Sequence, residues 1–347
     1  MSYWTWAWGA AATGDAGDDA ALKIAEVGRW YEPEKLFAYV TLVFYAKVLL
    51  WDKCFGWGTT DAVTGTTNIV LNGTGTWVNS GSAALRNNLT INTATLDASV
   101  SSYDIALAGN WVNTAGIFNE QNDTVTIDGS GAQSITNTSG ETFYGLRVNK
   151  SADTLTLNDN VTASNDLIMT LGNIKTAADT LILGTSTVSV GVLTRTSGTI
   201  VGRFKRWINA TGTGIIFPVG TASNYRPSLI TFTNLANGSL TGEFIEANPG
   251  GLGLPLPDGS FTVGSTFTEG YWALTPGNAL TSTDYDLELT GNGFISYPVV
   301  AQTRLLKRTD SGSPWVAQGN HIAAVPVTFT AKRDTLYTFG EYAFGDT

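Results

Sequence analysis

The chain is poor in the residues that usually build cross-linked or reactive sites. Among its 347 residues it has one cysteine, Cys54, and one histidine, His321, so an internal disulfide and a Cys/His zinc cluster are excluded. Charged residues make up 14% of the sequence, against roughly 25% in average proteins, and the net charge is −10. Nucleic-acid binding would require a basic stripe. The nearest candidate, Arg203–Arg206, is interpreted as an edge strand whose cations block further pairing, so no nucleic-acid partner is predicted.

Long apolar runs are also missing, with one exception in the Trp-rich stretch 1–60. Residues 36–51 are mostly apolar, but they fall short of the roughly 20 residues of a spanning helix, and Lys47 interrupts them. Lys35 and the apolar stretch after it have the order found in an export signal, although far from the N-terminus. Three interpretations stay open: an export signal, a helix buried against the β-structure, and a membrane contact or anchor. The first predicts a bacterial protein that is secreted or displayed on the cell surface.

What the chain has in abundance is Thr, Ser, Asn and Gly around short apolar triplets. Thr and Val favour pleated strands while Asn and Gly favour turns, so an all-β fold is predicted. Many triplets recur at steps of about 20 residues, which fits one coil of a β-solenoid, although shorter interleaved steps would suit the hairpins of a sandwich. The triplets are Leu89–Ile91, Ile105–Leu107, Val125–Ile127, Leu146–Val148, Leu155–Leu157, Leu167–Met169, Leu181–Leu183 and Val188–Val190.

One phrase occurs twice in this region. Residues 75–81 read GTWVNSG, and residues 109–116 read GNWVNTAG. The repetition predicts that Trp77 and Trp111 occupy equivalent places in two units. An aromatic at such a place fills the core or a corner of a coil, or alternatively offers a platform for a sugar ring.

The last part of the chain changes character. Prolines appear, and short strand patterns follow one another between Pro/Gly turns, which is typical of a β-sandwich. Asn248–Gly259, rich in Gly and Pro, is predicted to be a semi-flexible loop or linker. The predicted organisation is therefore a helical or signal-like segment over 1–60, a β-solenoid over 61–200 and a β-sandwich over 201–347.

Several stretches between residues 65 and 295 share a further pattern. They are Gly109–Asn113, Gly116–Phe118, Asp123–Ile135, Phe143–Leu146, Phe217–Gly220, Tyr225–Pro227 and Glu269–Trp272. The first four resemble a cassette that reads roughly GNW-N-G-F, TVTF-GSG-QTI and F-NL in large secreted proteins of the Bacteroidetes type, and the others are similar to segments that follow it. This resemblance implies an exported, multi-domain surface or matrix protein with an adhesive or structural role.

Acidic pairs are the candidates for chemistry, because glycosidases and β-helix lyases need neighbouring carboxylates. The pairs are Asp123 with Asp128, Asp153 with Asp159, and Asp284 with Asp286, which Glu288 extends. Alternation places the last three on one face of a strand, where a solvated sheet face is the simpler interpretation. The others lie in turns, where they could bind Ca²⁺ weakly. No other cofactor is predicted, and His321 without a visible nucleophile is interpreted as structural or exposed.

The leading hypothesis is a non-enzymatic extracellular or cell-surface protein that spaces, adheres or assembles, with itself or other surface proteins as partners. The alternatives are a carbohydrate-binding module and a β-helix enzyme that degrades polysaccharides. Trp77, Trp111, Trp272 and Trp315 in a row on one face would favour sugar binding. A cleft with three or more carboxylates and a basic side chain would favour an enzyme. The absence of both features, combined with an open apolar strand edge, would favour assembly.

Overall fold

The computed structural model describes residues 68–347, and this part of the chain is almost entirely β-structure. A β-solenoid of about six turns comes first, and two antiparallel sheets follow it. The all-β prediction and the order of solenoid and sandwich are thus confirmed. The predicted segment 1–60, with the apolar residues 36–51 and Cys54, lies outside the described residues.

The solenoid has three faces, each built from parallel strands. The first face contains β1 (Ile69–Leu71), β4 (Leu89–Ile91), β7 (Trp111–Asn113) and β10 (Gln133–Thr136). The second begins with β2 (Thr76–Val78), β5 (Thr95–Asp97) and β8 (Ile117–Asn119), and the third with β3 (Ala83–Leu85), β6 (Ile105–Leu107) and β9 (Thr124–Ile127). The long strand β11 (Glu141–Leu157) runs from the second face through the third to the first without a break, β12 (Val161–Leu183) follows it in the next coil, and β13 (Val192–Arg195) ends the third face.

Equivalent residues of successive coils stack at nearly the predicted step. Leu89 pairs with Ile69 on one side and Trp111 on the other, and Trp111 also pairs with Ile135, so each of these steps is slightly longer than the one before it. The outer residues of triplets such as Leu89–Ile91 and Ile105–Leu107 point inward and are buried, as alternation along a strand requires. The predicted triplet Val188–Val190 is an exception, because it forms no strand and Val188 is 90% exposed. The step varies because the turns between strands differ in length while the triplets stay in register.

Asparagine side chains join the coils where the strands begin. The amide oxygen of Asn88 accepts a hydrogen bond from the backbone N–H of Asn110 at 2.7 Å, and that of Asn110 accepts one from Ser134 at 2.8 Å. The same contact recurs between Asn173 and Thr199 at 2.9 Å. These bonds satisfy backbone donors that the strand ladders leave unpaired at the turns.

The two copies of the repeated phrase lie on different faces, so the prediction that Trp77 and Trp111 are equivalent is wrong. Trp77 belongs to β2 on the second face, in register with Leu96. Trp111 belongs to β7 on the first face, in register with Leu89. The copies are separated along the chain by more than one coil and less than two. Two closely similar local sequences therefore lie on different faces of the solenoid.

The strand β14 (Ile200–Ile208) joins the solenoid to the sandwich. Its first residues extend the first face, with Ile200 beside Ile174, and its second half pairs antiparallel with β17 (Gly238–Ile245). The first sandwich sheet continues through β21 (Tyr271–Gly277) and β26 (Gly340–Asp346) to β20 (Ser265–Thr266) and β23 (Arg304–Arg308). The second sheet has the order β15 (Ile215–Phe217), β16 (Ser228–Ala236), β22 (Thr281–Thr290), β25 (Thr330–Leu336) and β24 (Asn320–Val325), and a hairpin of β18 (Leu256–Asp258) and β19 (Phe261–Val263) stands apart.

The basic run Arg203–Arg206 is not the edge strand that its charges suggested. It lies in β14, between β12 and β17, and Phe204 is fully buried. Arg206 reaches across to the second sheet, where its Nη1 donates a hydrogen bond to the backbone oxygen of Ile216 at 2.9 Å. Burial lowers the pKa of Arg206 to about 10. The predicted boundary after residue 200 therefore falls within a strand that belongs to both parts.

Asn248–Gly259 is not a linker, because both of its ends are held by contacts with other parts of the sandwich. The indole N–H of Trp315 donates to the backbone oxygen of Gly250 at 2.8 Å. At the other end, Asp258 forms salt bridges with Arg333 at 2.8 Å and Arg304 at 3.1 Å. The Gly/Pro-rich sequence here shapes a packed loop that covers the outer face of the sheet.

Candidate functional site

The four tryptophans proposed for sugar stacking do not form an exposed row. Trp111 and Trp272 are 0% exposed, Trp315 is 1% exposed, and Trp77 is half-buried against the solenoid core. A stacking platform must offer a ring face to the ligand. The sugar-stacking prediction is therefore wrong for the three buried residues, which serve as core side chains.

Trp111 instead anchors a buried carboxyl group inside the solenoid. Its indole N–H donates to Glu141 Oε2 at 2.7 Å, and the side-chain amides of Asn113 and Asn137 donate to the same oxygen at 3.0 and 3.4 Å. Burial raises the pKa of Glu141, and the three hydrogen bonds oppose that rise. Because Glu141 is enclosed and engaged, its role is to hold neighbouring coils together.

A buried lysine closes a turn between the third and first faces. The ammonium group of Lys150 donates to the backbone oxygens of Gly129 and Gly131 at 2.8 and 2.7 Å and to Gln133 Oε1 at 2.8 Å. The amide of Gln133 in turn donates to the backbone oxygen of Gly109 at 2.6 Å, one coil earlier. Burial lowers the pKa of Lys150, and nearby carboxylates oppose the fall. The chain of contacts stacks three successive turns.

Two of the three acidic pairs are separated by strand residues. Asp123 and Asp128 flank β9, so the rise of a strand places their Cα atoms about 16 Å apart. Asp153 and Asp159 lie on either side of strand residues 154–157, and Asp159 accepts a hydrogen bond from the backbone of Asn137 at 2.9 Å. Neither pair is arranged as the two neighbouring carboxylates of a glycosidase.

The third acidic group shares one sheet face, as predicted. Asp284, Asp286 and Glu288 alternate with buried residues such as Tyr285 along β22, the middle strand of the second sheet. Glu288 stands opposite Lys332 of the neighbouring strand. This row lies on the outer surface of a sheet and not in a cleft.

Asp123 is an unusual buried group. It is 0% exposed, and neither carboxylate oxygen has a hydrogen-bond partner among residues 68–347. Burial, followed by the charges of Asp104 and Glu120, raises the pKa of Asp123 to about 7. An unpaired carboxyl in such a place is most stable when protonated.

His321 belongs to a cluster that fixes the β18–β19 hairpin. Arg304 Nη1 lies 2.8 Å from His321 Nε2, and because a guanidinium only donates, the ring nitrogen accepts. Burial and then the charge of Arg304 lower the pKa of His321, which favours this neutral form. The same Arg304 and Arg333 hold Asp258. These contacts agree with the interpretation of His321 as a structural residue.

An open cleft of about 440 Å³ lies where four loops of the sandwich meet. The loops precede β16, follow β17, precede β21 and follow β22, and they contribute Arg226, Glu246, Glu269 and Ile295 among others. Two carboxylates and one guanidinium face it, fewer than the three carboxylates set out above as the mark of an enzyme. From the sequence, Tyr225–Pro227 and Glu269–Trp272 were interpreted as architectural motifs, and it was not predicted that their loops form one cleft. The sequence did offer one signal for this cleft, namely charged residues in the turns of a chain that has few charges.

The described residues contain neither a metal-binding cluster nor a membrane-spanning helix. Within 68–347, no group of three or more His, Cys, Asp or Glu side chains is placed to hold a metal ion. The same residues contain no helix that is long and apolar enough to span a membrane. The predictions of weak Ca²⁺ binding and of membrane contact through residues 36–51 stay predictions.

Comparison of the chain with known proteins gave no match to a family model, a curated protein or a solved structure.

Proposed function

We propose that this chain is a non-enzymatic structural or adhesion protein, secreted or held at the cell surface, in which a rigid β-stack displays or spaces other parts. The observation that supports this most is the continuity of one 16-stranded sheet through β14. Domains joined by a loop are expected to move relative to each other. A strand that hydrogen-bonds to both parts at once removes that freedom.

The solenoid is suited to spacing because its length follows from its number of coils. About six turns spaced by about 4.8 Å give a stack about 29 Å long. Its interior is filled by apolar side chains from all three faces, such as Ile91, Phe143 and Val148, each 0% exposed. Such a stack resists bending, because bending would open well-packed contacts between coils.

The sandwich edges are protected against pairing with other strands. The Arg206 guanidinium donates a hydrogen bond to a backbone oxygen of β15. Arg333 Nη1 donates to the backbone oxygen of Leu305, in β23, at 2.7 Å. A backbone hydrogen bond from Ala324 to Ala301 covers part of β24. Edge protection of this kind limits uncontrolled aggregation.

The third solenoid face ends on a less protected strand. Among the described residues, β13 pairs only with β12, and Val192 at its start is 56% exposed. Val188, just before it, is 90% exposed. An open edge next to exposed valines supports contact with a second copy or another surface protein by strand addition.

The two alternative functions have less support. An enzyme on the β-helix would need neighbouring carboxylates in an open cleft, whereas Asp123 is fully buried and the pairs Asp123–Asp128 and Asp153–Asp159 are separated by strand residues. A sugar-binding row of tryptophans would need exposed rings.

Location and adhesion test the proposal together. Antibodies raised against the full chain should detect it on intact cells of the source organism or in the culture medium without lysis, and a deletion strain should attach to surfaces less well. The purified chain should release no reducing ends from a panel of polysaccharides. Labelling that requires lysis, or measurable release of reducing sugar, would contradict the proposal.

A further inference from the structure

The cleft between the sandwich loops contains a guanidinium held in one orientation. Arg226 is 3% exposed; its Nε donates to the backbone oxygen of Asn292 at 2.8 Å, and the rings of Phe244 and Phe294 lie 4.7 and 4.8 Å from the guanidinium carbon. Its own backbone oxygen accepts the indole N–H of Trp272 at 2.7 Å. These contacts fix the side chain before any ligand arrives.

One donor of this fixed group is unused. Arg226 Nη1 is buried and has no hydrogen-bond partner among the described residues, yet the residue lines the cleft. A buried charged donor without an acceptor is costly, and such groups in native proteins have a partner, which is water or a ligand. Because Arg226 lines the cleft, a polar group that enters the cleft is the available partner for this guanidinium.

The other cleft residues divide into occupied and available groups. Glu269 is occupied: Ile295 N–H at 2.6 Å and the Ser296 hydroxyl at 2.6 Å donate to its two oxygens. Glu246 is exposed and makes no hydrogen bond or salt bridge within residues 68–347. Asn248 uses its amide oxygen for a turn of its own backbone, which leaves its N–H₂ available.

These available groups define a ligand chemistry. Arg226 and Asn248 offer donors, Glu246 offers an acceptor, and Ile295 at the cleft is an exposed apolar side chain, 87% accessible. A hydroxyl both donates and accepts, so adjacent hydroxyls of a sugar can bind a carboxylate and a guanidinium at once while the C–H face of the ring covers Ile295. Two glutamates beside one arginine disfavour an anionic ligand.

We propose that this cleft binds a neutral sugar unit of a glycan through its adjacent hydroxyl groups. None of the four proposed stacking tryptophans lines the cleft, and the proposal does not depend on the role of the solenoid as a spacer. It would give the sandwich a recognition function at the end of the stack.

The test is saturation-transfer NMR of the full chain with neutral sugars, namely glucose, galactose, mannose and their short oligomers, and with glucuronate as the anionic probe. At least one neutral sugar should give a saturable signal with a Kd of about 1 mM or tighter. Glu246→Ala and Asn248→Ala each remove one exposed side chain and should weaken binding about tenfold. Glu288→Ala, an acidic residue on the outer face of the second sheet, should leave binding unchanged.

Three results would overturn the proposal. The first is the absence of a saturable signal from every neutral sugar. The second is binding that persists unchanged in both cleft variants. The third is glucuronate binding more tightly than glucose, which would assign the cleft to anions. None of these results bears on surface location or adhesion, so they leave the proposed function to its own test.

Discussion

Asp123 should make the free energy of unfolding of the solenoid depend on pH, and replacing it with Asn should remove most of that dependence. Asp123 lies just before β9, its backbone N–H donates to the oxygen of Glu120 at 3.1 Å, and its carboxyl group is buried without a partner among residues 68–347. Asn has nearly the same shape and does not titrate. The variant therefore tests the buried charge with little change in packing.

The sign and size follow from the two pKa values. The carboxyl group titrates at about 7 in the folded chain, and the ordinary pKa of an aspartate is 3.8. Because the folded state holds the proton more tightly, its contribution to stability is complete below pH 3.8 and is lost as the pH rises through 7. The free energy of unfolding should fall by about 1.4 kcal/mol per pH unit across this window, or about 4 kcal/mol in all as an upper estimate.

Urea unfolding at a series of pH values, followed by far-UV circular dichroism, measures the effect. Asp123→Asn and the wild-type chain should be similarly stable at acid pH, and the variant should be the more stable by several kcal/mol above neutrality. Hydrogen exchange of the β9 amides assigns the change to the solenoid. Asp286→Asn, on an outer sheet face, is the control and should show a difference within about 0.5 kcal/mol at every pH. A difference between wild type and Asp123→Asn that does not change with pH would refute the reasoning.

Three further predictions, the last with its own control substitution, test the packing. Lys150→Met leaves the turn carbonyls without a donor and should lower the free energy of unfolding by about 3 kcal/mol in urea titrations; an unchanged midpoint would contradict the role of the ammonium group. Trp111→Phe keeps an aromatic ring but removes a donor to Glu141, so we expect a loss of about 2 kcal/mol and a lower thermal midpoint, and no loss would mean that the bond is dispensable. Gly198→Ala would drive its Cβ into the carbonyl oxygen of Gly172 in the preceding coil, whereas Gly212→Ala meets open space at a similar positive φ. The first should cost about 3 kcal/mol or more and the second about 1 kcal/mol, and equal thermal shifts would argue against coil contact.

The sequence was sufficient for strand type and stacking because both depend on local patterns. Triplets such as Leu89–Ile91 and Ile105–Leu107 carry the alternation of a strand and are strands in the structure. Their recurrence at a nearly constant step predicted the solenoid, since only equivalent positions of successive coils can pair. The length of each turn is not encoded in the triplets, so the phase of Trp77 relative to Trp111 could not be read from their matching phrases.

The burial of a side chain and the formation of a cleft depend on contacts between residues that are far apart in the chain. Trp315 looked like a candidate platform because nothing in its neighbourhood shows that Gly250, far earlier in the chain, will accept its indole N–H. Arg203–Arg206 looked like an edge because the partner strand β17 comes only after an intervening hairpin. The cleft at Arg226 is formed by four loops, none of which contains a recognisable binding motif.

The coil step can be tested most directly by deleting a whole coil and part of one. Removing residues 89–110 takes out one whole repeat and places Trp111 where Leu89 stood, beside Ile69. We predict that this variant keeps its β-sheet circular dichroism and unfolds cooperatively, with a solenoid shorter by about 4.8 Å. Removing only residues 89–99 should put the wrong side chains inside and abolish cooperative unfolding. Equal folding of the two variants, or loss of folding in both, would contradict a stack of coils with this step.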